Sequence, residues 1–186
     1  MSIYVFDEQE AELSTVADAD EMIIHDNDAG ITKKVGVDTL AAYANNQVVT
    51  ADAATLSVTA AAHAGRTILL ARAAGVVATL PAATGTGNRY QFAVAVTRTS
   101  NTYTIQVANA TDVMSGSIIV CNQADGTTTP FGTVAASDSI VIDGDTKGGL
   151  IGGLVTIVDV AAGQFSVVGT VVGTGAEATP FAAAVA

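Results

Sequence analysis

From residue 66 onward the chain repeats one pattern: short β-branched apolar runs punctuated by Gly, Asn, Asp and Pro, the signature of strands separated by turns. The runs TILLA (67–71), VVATL (76–80), YQFAVAVT (90–97), TYTIQVA (102–108), SIIVC (117–121), SIVI (139–142), LVTIVDV (154–160) and QFSVVGTVV (164–172) are the predicted strands. In TYTIQVA, Tyr103, Ile105 and Val107 alternate with Thr104, Gln106 and Ala108, so one face of that strand is apolar. No helical pattern of about 10 to 15 residues separates these runs, which argues against βαβ units. The pattern therefore predicts a mainly β protein, an antiparallel β-sandwich or barrel-like domain. RTSN after the YQFAVAVT run and AAG before Gln164 fit hairpin connections.

The first part of the chain reads differently. Two short extended runs, 21–25 and 31–37, flank Asp26, Asn27, Asp28, Ala29 and Gly30, residues that favour a turn. Asp38 then stands where an N-cap belongs, ahead of the helix-favouring TLAAYA. A small hairpin-plus-short-helix N-terminal arm is expected here. Residues 45–64 form an Ala, Thr and Val-rich connector with one strand at 56–59, and the division is placed between residues 1–52, the acidic arm, and 53–186, the β-rich domain.

Charge sharpens this division. Eleven of the 18 acids fall in residues 1–52 against only Lys33 and Lys34, a net of −9. The remainder holds seven acids and five bases, about 9% of its positions, well under the roughly 25 to 35% suited to a monomer's soluble surface. A surface so poor in charge is expected to be shared with other chains. The net charge of −11 and pI of about 4.2 exclude a phosphate-backbone partner, since nucleic-acid binding draws on clustered Lys and Arg. MSIYVFDEQEAEL lacks a basic n-region, and IGGLVTIVDV falls short of the about 18 apolar residues of a membrane span, so a soluble chain made in a cytosol, with no membrane partner, is expected. Cys121 is the single cysteine and reads as a small buried hydrophobe.

The candidate chemistry is thin. TGTGNR, 84–89, lacks the third glycine and following helix of a dinucleotide loop and the Gly-Lys-Ser/Thr of a Walker loop, so it reads as a turn. DNDAG places its glycine fifth from Asp26 and Val37 twelfth, against the sixth-position Gly and twelfth-position acid of a calcium loop, and DGDTKGG (143–149) puts Lys147 at a ligand position. His25 and His63 read as surface histidines, with no nucleophile elbow or zinc-binding helix beside them. The residues contain no catalytic constellation and no cofactor motif; no metal site is expected, with calcium at DNDAG or DGDTKGG the weaker alternative.

DADEMIIHDNDAGITKKVGVDTLAAYA resembles a short module near the start of tailed-phage virion proteins. TILLARAAGVVATLPAATGTGNRYQFAVA, TSNTYTIQVANATDVMSGSIIV and GTGAEATPFAAAV resemble tailed-bacteriophage capsid decoration (cement) proteins and related virion structural proteins. The resemblance implies a β-rich homotrimer on the outer capsid surface, made in the host bacterial cytoplasm, that clamps neighbouring copies of the major capsid protein without enzymatic activity or cofactors. Under it, residues 2–44 are the expected contact segment, with Tyr4, Phe6, Met22, Ile24, Lys33, Lys34, Leu40 and Tyr43 as the capsid or subunit contacts. The same N-terminal module also resembles parts of tail fibres. That alternative is a receptor-binding module for a host surface glycan, with Tyr90, Phe92, Tyr103 and Phe131 as its aromatics, although core packing is the simpler role for each. A third reading, a carbohydrate-active or calcium-dependent enzyme, would turn on Asp143 or Asp145.

Overall fold

The structure is a computed structural model that describes residues 21–26, 31–36 and 48–185. Its contacts divide the chain into two compact units, Met1–Asn46 and Gln47–Ala186. In the first, β1 (Glu21–Asp26) and β2 (Ile31–Gly36) pair antiparallel, from Glu21 opposite Gly36 to Asp26 opposite Ile31. The helix expected after Asp38 lies outside the described residues.

The second unit begins with β3 (Val48–Ala51), β4 (Thr55–Ser57), helix α1 (Ala60–His63), β5 (Thr67–Leu70), β6 (Val76–Thr79), β7 (Arg89–Val94) and β8 (Tyr103–Gln106). It continues through β9 (Val113–Asn122), β10 (Thr128–Gly132), β11 (Ser139–Ile142), β12 (Leu154–Ala161), β13 (Gln164–Gly173) and β14 (Phe181–Ala182). These strands form a seven-stranded sheet in the order β10-β9-β13-β12-β7-β5-β3 and a five-stranded sheet in the order β14-β11-β8-β6-β4. The chain is mainly β, as the strand pattern predicts, and every predicted strand of the region after residue 66 is present.

Both sheets are mixed, where an antiparallel arrangement was expected. β3, β5 and β7 run parallel in one sheet, and β4, β6 and β8 run parallel in the other. Parallel neighbours need a crossover connection, commonly a helix. Here the crossover is a strand of the opposite sheet: the chain passes from β3 to β4, back to β5, across to β6, and so on. The absence of helical patterns therefore does not imply antiparallel pairing. RTSN is one of these crossings, from β7 to β8, and not a hairpin. The β12–β13 connection is the hairpin expected, with Ala161 opposite Gln164, an irregularity between Asp159 and Ala161, and Gly163 at φ 76°.

The inward faces of the two sheets share one core. Ile68, Leu70, Tyr90, Phe92, Ile157 and Phe165 come from the larger sheet, and Val76, Tyr103, Ile105, Ile140 and Ile142 from the smaller. Tyr103 joins them directly: its hydroxyl donates to the Val96 carbonyl at 2.8 Å, with the Leu70 carbonyl at 3.4 Å. Burial raises the pKa of this phenol, and the nearby Arg98 charge opposes that rise.

Three strands are missing from the sequence reading. β3 lies in the Ala- and Thr-rich connector and belongs to the larger unit, so the division falls ahead of residue 52. β10 contains Pro130, which a sheet tolerates because β10 is an edge strand. β14 has only two residues.

Candidate functional site

The glycine-rich loop before β7 does cradle an anion, but the anion is the chain's own. Asp159, on β12, is 3% exposed and turns its carboxylate into the loop. Its Oδ1 accepts the N–H of Thr84 at 3.0 Å and of Gly85 at 2.7 Å; its Oδ2 accepts the N–H of Thr86 at 3.2 Å and the Thr86 hydroxyl at 2.7 Å. Three successive N–H groups thus form the anion-binding concavity that a phosphate loop would offer. Burial alone would raise the Asp159 pKa, and the hydrogen bonds from Thr86, Gly85 and Thr84 outweigh it and hold the pKa below the ordinary carboxylate range. The turn assigned from sequence is correct, with a carboxylate as its fastener.

Other acids of this unit do the same work. Asp143 Oδ1 accepts from the N–H groups of Asp145 and Lys147 at 2.9 and 2.8 Å, and Oδ2 accepts from the Thr146 hydroxyl at 2.7 Å. Burial pushes the Asp143 pKa up, but these bonds and the Lys147 charge bring it below the usual value. Asp112 accepts from the Ala83 N–H and the Asn109 amide at 2.9 and 2.8 Å. Asp138 accepts from the N–H groups of Ala184 and Val185 at 2.7 and 3.1 Å, which holds the segment after β14. Among the described residues no three His, Cys, Asp or Glu side chains gather as a metal site. The DGDTKGG loop is closed by Asp143 upon itself.

His63 differs from its sequence reading. It is 6% exposed, at the end of α1, where its Nδ1 accepts the Thr59 N–H at 3.0 Å. The Thr59 hydroxyl in turn accepts from the Ala62 N–H at 3.3 Å as the N-cap, so an alanine-rich turn is fastened at both ends by its polar residues. The aromatics Tyr90, Phe92 and Tyr103 are core residues, each at most 1% exposed, and Phe131 is half-buried against the core. No sugar-stacking platform is formed by the first three.

What the unit presents outward is the far face of the seven-stranded sheet. Ile119 on β9, Leu154 on β12 and Val168 on β13 are 41, 41 and 62% exposed. With Ser117, Thr156, Gly169 and Thr170 they line a shallow depression of about 320 Å³. The register places Thr67, Gln91, Thr156, Val168 and Ser117 side by side across β5, β7, β12, β13 and β9. The Thr67 hydroxyl donates to Gln91 Oε1 at 2.9 Å, and Gln91 Nε2 to the Thr156 hydroxyl at 3.5 Å. Beyond Gln91 a polar concavity of about 250 Å³ is lined by Gly65, Arg66, Thr67, Arg89 and Gln91. Cys121, half-buried, shares the outward alternation of Ile119 and is not the fully buried residue expected.

This face was missed in the sequence, yet it leaves a signal there. Ile118-Ile119 and Val167-Val168 are apolar doublets, and a strand with one wet face has no use for the second member of each. Of the residues expected as contacts, Tyr4, Phe6, Leu40 and Tyr43 lie outside the described residues. Met22 and Ile24 are on β1 and Lys33 and Lys34 on β2, where the backbone register sets Ile24 opposite Lys33 and Met22 opposite Val35. Among the described residues no helix is long and apolar enough to cross a membrane. No protein-family model, no curated protein and no solved structure matches this chain.

Proposed function

We propose that the chain is a non-enzymatic virion structural protein of a tailed phage: a capsid decoration protein, trimeric, that binds the outer surface of the head and ties neighbouring copies of the major capsid protein. The observation that carries this reading is the contrast between the two faces of its acids and its sheet. Asp112, Asp138, Asp143 and Asp159, the groups an acid–base enzyme would aim at a substrate, are turned onto backbone N–H groups. The outward sheet face carries Ile119, Leu154 and Val168 with Ser and Thr between them and no carboxylate. Such a surface gains by being covered, at roughly 25 cal/mol per Å² of apolar area removed from water. The glycan-binding alternative draws nothing from Tyr90, Phe92 and Tyr103, which are buried.

The test is sedimentation of the purified chain with expanded, undecorated phage heads, alongside its mass in solution. Saturable binding to heads by a species of three times 18.6 kDa supports the proposal. A monomer that stays in the supernatant at all head concentrations overturns it.

A further inference from the structure

The five basic side chains of the larger unit have distinct fates. Arg72 donates to its own loop, to the carbonyls of Ala74 and Gly75 at 3.0 and 2.8 Å. Arg98 lies against Gly144, and Lys147 faces Asp143. Arg66 is engaged in an interaction of its own. Arg89 is exposed at the start of β7, and no carboxylate among the described residues pairs with it. It lines the 250 Å³ concavity together with Arg66, over a floor of Thr67 and Gln91 side chains that hydrogen-bond to each other.

Two features fix what this site suits. A guanidinium presents its donors in a planar fork that matches a carboxylate. Outward positions on β3, β5, β7, β12, β13 and β9 carry no Asp or Glu, because Asp159, the one acid in those strands, points inward. The positive rim at Arg89 then grades through Gln91 and Thr156 into the apolar centre at Leu154, Val168 and Ile119. From β5 to β9 is four strand spacings of about 4.8 Å, or about 19 Å, the length of roughly six extended residues.

We infer that this face is a docking site for an acidic protein segment in which carboxylates adjoin a short apolar run: the apolar side chains sit on Leu154, Val168 and Ile119, and a carboxylate sits on Arg89. A protein segment is favoured over an acidic sugar because the concavity has no aromatic wall. The inference does not depend on the virion assignment, and its test uses no capsid.

The chain's own residues 2–13, SIYVFDEQEAEL, have this chemistry and supply the probe. A fluorescent peptide of that sequence is titrated into the full chain at low salt, followed by anisotropy. Three arms run beside it: the Arg89→Glu chain, a peptide with Asp7, Glu8, Glu10 and Glu12 changed to their amides, and an oligouronate. The expected result is saturable binding that weakens about tenfold or more with Arg89→Glu and with the amide peptide, and that weakens as salt is raised. No saturable binding of the acidic peptide overturns the inference, as does equal binding of the amide peptide or by the Arg89→Glu chain. Uptake of the oligouronate alone, lost with Arg89→Glu, overturns the protein-segment assignment in favour of an acidic glycan. Circular dichroism of Arg89→Glu, an exposed position, distinguishes loss of the site from loss of the fold.

Discussion

Thr86 places two donors on one oxygen of Asp159: its backbone N–H at 3.2 Å and its hydroxyl at 2.7 Å from Oδ2. Together with Thr84 and Gly85 this fastens the loop before β7 to β12, a contact between residues 73 to 75 positions apart. Replacing Asp159 with Asn keeps the size and removes the charge. The new amide must then turn its NH₂ toward the donors of Thr86 or of Thr84 and Gly85. The Asp159→Asn chain is expected to lose about 2 to 3 kcal/mol of unfolding free energy, read by urea denaturation at neutral pH.

The same contact sets an acid limit on stability. Asp159 and Asp143 both have pKa values below the ordinary carboxylate range in the folded chain. Near and below the unfolded value of about 3.9, the folded state therefore binds fewer protons than the unfolded state, and stability rises with pH there. Their contribution is complete above that value and is lost as pH falls through the folded pKa. Urea midpoints are expected to be flat with respect to these two groups near neutrality and to drop below about pH 4. The difference between the parent chain and Asp159→Asn should shrink in the same window; a difference independent of pH down to the acid limit would contradict the assignment.

Gly116 is the tightest point in the parallel pairing of β13 with β9. It adopts φ 149°, and a Cβ there would stand 1.8 Å from the Val167 carbonyl oxygen. Backbone cannot yield as a side chain end can, so Gly116→Ala is expected to destabilise by about 3 kcal/mol or more. Gly132→Ala, on the neighbouring edge strand, is the control: its nearest atom is 4.0 Å away, and thermal unfolding should barely change.

Val168 tests the exposed face without touching the core. At 62% exposure its replacement by Lys should alter folding stability by no more than about 0.5 kcal/mol. A charged ammonium in the centre of the Ile119 and Leu154 depression must be desolvated when that face is covered, so Val168→Lys is expected to abolish association through it. Light scattering and head sedimentation beside a melting curve read both effects together.

Much of this protein was determined by its sequence alone. Alternation such as Tyr103, Ile105 and Val107 against Thr104 and Gln106 marks a strand and its buried face, because side chains point to opposite sides at every step. Local turn chemistry, the AAG between two extended runs, likewise located the β12–β13 hairpin. Only the tertiary structure decided which strands are neighbours. Pairing depends on where the chain crosses between sheets, and the run from β7 to β8 reads identically whether it closes a hairpin or changes sheet. The roles of the acids were hidden for the same reason. Asp159 and the loop at Thr84 to Thr86 meet only when β12 lies beside β7, so a lone aspartate in an apolar strand became the anion of a glycine-rich loop. The outward face of Ile119, Leu154 and Val168 likewise exists only once β9, β12 and β13 stand in one sheet, since these three apolar side chains come from three different strands.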